Sequence, residues 1–251
     1  MSGHSKWANI KHKKGAADAK RGKIFSKIAK EIIIVVGQSG KDISSNPALR
    51  TLIQKARAVN MPADNIDRAI KRGSGELQGA RMEEVMFEGF AAGGVALIVQ
   101  ALTDNRNRTV AEVRHVFTKH SANLAGQGQV MRTFQRKGQI LVPVQGVDED
   151  KLMELVLEAG AEDMSRDGDV FEILTDPASY PAVAEAISKA GVATTSSEVT
   201  LLPLNWTPVT DKDKAASLLR FIEELEELDD VQNVYSNFDM DPALLDALSK
   251  A

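Results

Sequence analysis

The sequence predicts an α+β protein with an N-terminal three-helix bundle followed by two ferredoxin-like α/β domains, the last inserted into a discontinuous middle domain. Apolar residues recur at helical spacing up to about residue 73 of the 251-residue chain. Beyond that point the apolar period shifts toward two, which is typical of strands, and helical segments alternate with them. The glycine-rich segment Gly73-Ser74-Gly75 separates the two patterns.

Three helical segments with short connections predict the bundle. The first begins near Asp18 and ends between Gly37 and Gly40, with apolar residues on one face and lysines on another. The second begins at Asn46-Pro47, where asparagine suits an N-cap and proline suits the first helical position. The third ends at Gly73-Ser74-Gly75, whose composition also suits a hinge.

The middle domain is predicted from two separated parts of the chain. Residues 85–90 and 95–102 form strands paired across Ala91-Ala92-Gly93-Gly94, and a helix follows over 109–119. This ββα unit lacks a closing half. The tail supplies it, because a helix over 212–228 precedes a strand over 231–238.

The region between these parts predicts a complete βαββαβ series. A strand over 139–144 leads into a helix over 149–159, two short strands surround Arg166-Asp167-Gly168, a helix covers 180–190, and a last strand ends near Leu204. The predicted domains are 1–78, then 79–133 with 206–251, and the inserted 134–205.

The charge of the chain is divided by position. Residues 1–80 carry 16 Lys and Arg against 6 Asp and Glu, whereas residues 81–251 carry 15 against 29, for a net charge of −4. Within residues 1–30, nine basic residues face the single acid Asp18. Such a segment repels itself and favours a polyanion, so the sequence predicts a nucleic-acid or ribonucleoprotein partner.

Two other interpretations of the basic region stay open. It is either an ordinary solvated charge run, or it folds onto acidic parts of its own chain. The acidic tail helix, from Glu223 to Asp230, is most simply a solvated face, and alternatively competes for the basic region when no partner is bound. Residues 2–14 have no apolar period and are predicted to be a mobile arm. In that arm, Trp7 either stacks on a base or packs on the bundle.

The segment Thr103–Thr109 is a second candidate for anion binding. Asp104 and Asn105 suit a turn and a helix cap, which would place Arg106 and Arg108 near a helix N-terminus that favours anions. The alternative is a structural cap whose arginines pair with Asp104 or with acids of the tail. The predicted nucleic-acid-binding residues are Lys6, Trp7, Lys11, His12, Lys13, Lys14, Lys20, Arg21, Lys23, Lys27, Arg106 and Arg108.

Several classes of protein are excluded by composition and spacing. The absence of cysteine excludes disulfides and thiolate sites and fits a reducing cytoplasm. The longest apolar run near the start, Ile32–Val36, is too short for a signal segment or a membrane span. Gly15 to Lys23 has the wrong spacing for a phosphate loop, and the four histidines lack metal-ligand spacing. We therefore predict a cytoplasmic, non-enzymatic protein with no cofactor, no metal and no membrane partner.

Three segments resemble the YebC/PmpR family: Ser2–Lys14 with Lys20–Phe25, Ala58–Gly73, and Gly93–His115. The resemblance implies a bacterial cytoplasmic protein of three domains that is a probable DNA-binding transcriptional regulator. It also implies kinship with the mitochondrial translational activator of cytochrome c oxidase, which makes ribosomal RNA or the ribosome the alternative partner. It assigns no oligomeric state. The chain departs from the family in two places: Ser121-Ala122-Asn123-Leu124-Ala125 stands where a glycine-rich turn is expected, and an expected aromatic residue before Phe134 is absent near Met131.

Overall fold

The computed structural model of this chain describes residues 18–249. Helices and antiparallel sheets alternate along the chain after an all-helical start. The elements, in chain order, are α1 (Asp18–Ser39), α2 (Pro47–Ala58), α3 (Ala63–Gly73), β1 (Glu83–Phe90), β2 (Ala96–Thr103), α4 (Arg106–Lys119), β3 (Asn123–Leu124), β4 (Phe134–Pro143), α5 (Glu149–Glu158), β5 (Asp163–Asp167), β6 (Val170–Thr175), α6 (Tyr180–Lys189), β7 (Ser196–Pro203), β8 (Thr207–Pro208), α7 (Lys212–Glu227), β9 (Val231–Ser236), β10 (Phe238–Asp239) and α8 (Pro242–Ser249).

Helices α1, α2 and α3 form the helical domain, around a core of their own. Ile28 and Ile32 of α1 meet Ile53 of α2 and Ile66 of α3 in one buried cluster. The predicted N-cap of α2 is confirmed, because the Asn46 side chain accepts a hydrogen bond from the backbone N–H of Leu49 at 3.0 Å.

Helices α1 and α3 approach each other closely where α3 ends. A Cβ atom at Gly73 would lie 2.7 Å from the backbone oxygen of Ile33 and 2.8 Å from the Cβ atom of Val36. Only glycine therefore fits at this crossing.

A first sheet, the middle sheet, has the strand order β3-β1-β2-β9. Helices α4 and α7 cover one face, where Leu97 and Val99 of β2 pack with Phe117 and Phe221. The rings of Phe117 and Phe221 meet edge to face at 5.0 Å. Strand β9 comes from the C-terminal part of the chain, so this sheet is built from two separated segments.

A second sheet, the inserted sheet, lies between those segments and has the order β5-β6-β4-β7. Helices α5 and α6 pack on one face, where Leu152 and Val183 meet Ile140 and Phe171 of the strands. The βαββαβ order matches the prediction. The middle sheet differs, because its central pair is the β1–β2 hairpin, whereas the central pair here is β4 and β6, which are not consecutive.

Some elements differ from their predicted bounds. Strand β4 begins at Phe134 rather than Gln139. Its first part contains polar residues such as Arg136 and Lys137, which pair with β7. The apolar pattern of the sequence therefore did not indicate a strand there. The short strands β3 and β8 and the helix α8 were not predicted. No helix of residues 18–249 is long and apolar enough to span a membrane.

The buried carboxylate of Glu88 organises the loop that joins the two sheets. It accepts hydrogen bonds from the backbone N–H groups of Gly128 and Val130, each at 2.6 Å, and of Met131 at 2.9 Å. Burial alone raises the pKa of Glu88, but these three bonds outweigh it and leave the pKa lowered. In the turn before this loop, Ser121 adopts a left-handed φ of 54° at the departure from the family pattern.

Candidate nucleic-acid interface

The predicted binding residues fall into three groups in the structure. Lys6, Trp7, Lys11, His12, Lys13 and Lys14, with the predicted mobile arm, lie outside the described residues. Lys20, Arg21, Lys23 and Lys27 belong to α1. Arg106 and Arg108 lie in the first turn of α4.

Three lysines of α1 contact the C-terminal end of α7, and we call them the lysine face. Lys23 Nζ donates a hydrogen bond to the backbone oxygen of Glu227 at 2.9 Å. Lys27 donates to the oxygen of Glu226 at 3.2 Å, and Lys30 to that of Asp229 at 2.8 Å.

The positions of these lysines explain how they reach one target. They are spaced four and three residues apart, so they lie on the same side of α1. The final carbonyls of a helix have no partner within the helix and carry its partial negative charge. The end of α7 is therefore a suitable acceptor for ammonium groups.

Asp230, just after this helix end, joins the helical domain to the middle sheet. Its carboxylate accepts hydrogen bonds from Lys30 at 2.6 Å, Arg108 at 2.8 Å, Thr109 at 2.7 Å and Thr103 at 3.1 Å. The side chain is only 3% exposed. Burial alone raises its pKa, but the bonds from Lys30, Arg108 and Thr109 lower the pKa to about 2. The carboxylate is therefore charged at neutral pH and bonded from two structural units.

The start of α4 is a structural cap of the predicted kind. The Asn105 side chain accepts from the backbone N–H of Arg108, which confirms the cap. Arg108 also contacts Asp104 at 3.2 Å, and Arg106 lies 3.6 Å from Glu83. Arg108 thus pairs with Asp104 and with Asp230 of the tail, as the alternative interpretation expected, whereas the partner of Arg106 is Glu83 of β1, which it did not name. Contact of the two arginines with nucleic acid stays a prediction.

The contact between the helical domain and the middle sheet is largely polar. The buried cluster of the helical domain shares no residue with the three clusters of the sheets. The two units instead meet through the lysine face, through Asp230, and through Arg72, which lies 3.4 Å from Asp104. These contacts hold the two units together without a buried apolar cluster that contains residues of both.

The helical domain also carries basic side chains that are not part of this contact. Arg57 of α2 and Arg68 of α3 are exposed, and neither side chain forms an ion pair or a hydrogen bond with any residue in 18–249. Lys30 and Asp230 were missed as site residues in the sequence. The signal for Lys30 was its position one helical turn after Lys27, whereas nothing in the sequence pointed to Asp230.

Other kinds of site find little support in the described part of the chain. No group of three or more His, Asp or Glu side chains within it is arranged to hold a metal ion. Glu172 of the inserted sheet is half-buried, and this burial raises its pKa, but its carboxylate accepts a hydrogen bond from the Gln139 amide.

Comparison with protein families decides the kinship of this chain. Residues 5–76 match the model of the TACO1/YebC protein N-terminal domain, and residues 82–238 match that of the TACO1/YebC second and third domain. The chain belongs to the TACO1/YebC family. The family resemblance stated from the sequence is therefore confirmed.

Relatives across the family are similar over their whole length. The chain is 52% identical over 250 residues to a probable transcriptional regulatory protein of Magnetococcus marinus, covering 99% of this chain and 100% of the relative. It is 54% identical over 241 residues to one of Acidobacterium capsulatum, covering 96% and 97%.

A solved family structure has the same fold. The crystal structure of a conserved hypothetical protein from Aquifex aeolicus is 47% identical, with a TM-score of 0.83, and the match covers 92% of this chain and 96% of that one. This confirms the α+β fold class. The predicted domain bounds remain our proposal, which the strand orders of the two sheets support.

Proposed function

We propose that this protein is a cytoplasmic, non-enzymatic regulator of transcription that binds DNA through its basic N-terminal region. The observation that carries the proposal is the change in the sign of the charge near residue 80. In the structure this point falls in the connection between α3 and β1, so the basic residues belong to one structural unit and the acidic excess to the others.

The physical basis is the release of counterions from DNA. Each phosphate neutralised by lysine or arginine frees condensed cations. The logarithm of the binding constant therefore falls linearly with the logarithm of the salt concentration, with a slope of about −0.9 for each phosphate contact. The Arg57 and Arg68 side chains have no partner in residues 18–249 and are available for such contacts, and the lysines of residues 6–14 add to the positive charge of this part of the chain.

These contacts provide affinity and orientation without reading the sequence, which requires base edges or DNA shape. The names of the relatives from Magnetococcus marinus and Acidobacterium capsulatum favour a regulator of transcription. Ribosomal RNA offers the same dense phosphate charge, so it is the alternative partner that the experiment must separate.

The test is fluorescence anisotropy with a labelled DNA duplex and a labelled ribosomal RNA fragment, each between about 50 and 200 mM salt. Two variants probe the site: Lys11→Glu with Lys13→Glu and Lys14→Glu, and Arg57→Glu with Arg68→Glu. We expect the triple lysine variant to weaken duplex binding at least about tenfold and to reduce the slope of affinity against salt by about three. The double arginine variant should reduce that slope by about two.

A matched control reverses charge elsewhere. Lys151→Glu with Lys189→Glu makes the same change in net charge as the Arg57 and Arg68 pair, on the helices of the inserted sheet, and should leave binding unchanged. Equal loss in the control, or no duplex binding at the lowest salt, would overturn the proposal. Clearly tighter binding of the RNA would favour the ribosomal alternative.

A further inference from the structure

The lysine face has two possible partners that it cannot hold at once. Lys23 and Lys27 are predicted to contact DNA, yet in the structure both donate to backbone oxygens in the last turn of α7. Lys30 donates to Asp229 and Asp230 beside them. An ammonium group bound to these oxygens is not available to a phosphate.

We propose that the C-terminal end of α7 is an intramolecular competitor that holds the lysine face until nucleic acid displaces it. The inference rests on the proposed function, and names how the same site is regulated. The helical domain then has a closed arrangement, which the structure shows, and an open one that exposes Lys23, Lys27 and Lys30 to phosphate.

The end of α7 and the phosphates of a nucleic acid both offer oxygen acceptors to the lysine face, but they attract it with unequal strength. The end of a helix carries a partial charge of about half an electron, and its carbonyl oxygens accept hydrogen bonds as phosphate oxygens do. Each phosphate carries a full charge, and binding to it releases counterions, which the helix end does not offer. A polyanion can therefore displace the helix end, whereas an isolated anion has no such advantage.

The body of the protein loses little when the contact opens. If Lys30 leaves, the Asp230 carboxylate keeps its bonds from Arg108, Thr109 and Thr103, all within the middle sheet and α4. No charged group is then buried without a partner, which is the costly outcome when an ion pair breaks. Asp230 can thus hold the closed arrangement and still tolerate the open one.

The connection between the two units permits such a movement. Residues 74–82 join α3 to β1, and Gly75 within them has a φ of 81°, which favours glycine. The buried core of the helical domain contains only residues of α1, α2, α3 and their connections, so separation from the middle sheet does not divide it. Salt weakens the exposed part of the contact, since charges are screened over about 10 Å at 0.1 M.

The first experiment measures duplex affinity of Asp230→Asn, which removes the carboxylate charge that holds Lys30. If opening is a prior step, the apparent affinity scales with the open fraction, so we expect binding about threefold to tenfold tighter than in the natural chain. The control is Glu224→Gln. It removes the same charge from α7, but the Glu224 carboxylate contacts Lys119 and His120 at the end of α4 rather than a lysine of α1.

The second experiment follows the separation of the units directly in the otherwise natural chain. The chain has no cysteine, so spin labels can be attached at Gln54→Cys in α2 and Ser217→Cys in α7, both exposed positions. Electron paramagnetic resonance should give a single distance between the two labels at low salt. After addition of saturating duplex, a longer distance between the labels should appear, either beside the first distance or in place of it.

The outcomes separate the inference from the function on which it rests. Tighter binding by Asp230→Asn alone, with a new distance on adding duplex, supports both. Duplex binding with an unchanged distance, or equal tightening by Glu224→Gln, overturns the competitor and leaves the proposed function standing. Absence of binding to any polynucleotide overturns the proposed function, and the competitor with it, even if high salt alone changes the distance.

Discussion

The two junctions between the structural units of this molecule differ in chemistry, since one consists of charged and hydrogen-bonded groups and the other of apolar side chains. The helical domain meets the middle sheet through lysines, backbone oxygens and Asp230. The middle and inserted sheets instead meet in a buried apolar cluster of Ala96, Ile98, Val130 and Phe134, with Leu201 packed against it. The screening of charges by salt does not weaken the burial of apolar surface, whereas it weakens a charged contact near solvent. We therefore expect salt to weaken the first junction and not the second.

The buried acids of the two junctions show the same contrast. Glu88 is satisfied by backbone N–H groups of one loop, so it holds a local conformation. Asp230 is satisfied by side chains from α1 and α4, so it links units that are far apart in the chain. Of these two acids, only Asp230 would lose a hydrogen bond if the helical domain moved away from the middle sheet.

The largest effect is expected at the apolar junction. Phe134→Ala removes a ring that is 7% exposed, and should lower the free energy of unfolding by about 3 to 5 kcal/mol. Urea unfolding followed by circular dichroism at low and high salt checks this, and the loss should be the same at both. A loss that shrinks in high salt would contradict the assignment of this junction as apolar.

A smaller and pH-dependent effect is expected for Asp230→Asn. At neutral pH it should cost about 1.5 to 3 kcal/mol, the range for hydrogen bonds to charged groups. The folded pKa of about 2 lies below the ordinary 3.8, so the stabilisation is present above about pH 4 and is lost as the pH falls toward 2.

Urea unfolding of the natural chain and Asp230→Asn across that range measures the difference. The two stabilities should converge as the pH falls. A difference that stays constant from pH 7 to pH 2 would show that the carboxylate charge is not what stabilises the junction.

The smallest effect is expected for Asp104→Asn, which sharpens the comparison at the same place. Asp104 contacts Arg72 at 3.4 Å and Arg108 at 3.2 Å, so like Asp230 it touches both units, but its side chain is 35% exposed. Exposed pairs contribute little, so the change in unfolding free energy should be at most about 0.5 kcal/mol. A loss as large as that of Asp230→Asn would mean that burial does not set the strength of this junction.

Local patterns predicted much of the fold because each depends on neighbouring residues. The cap at Asn46 and the hairpin across Ala91–Gly94 follow from residue type and spacing. Strand β4 was placed too late because its first residues are polar and are strands only through pairing with β7. The basic region was likewise visible as a charge count, but the partners of its lysines were not.

The sequence by itself determined the order of the longer helices and strands, the family, and the separation of positive from negative charge along the chain. The tertiary structure alone decided that Lys23, Lys27 and Lys30 face the end of α7, about 200 residues away in the chain. It also brought Asp230 to Arg108 and Lys30. The reason is physical: periodicity and capping act over a few residues, whereas the partner of a charged side chain is fixed only when distant elements pack.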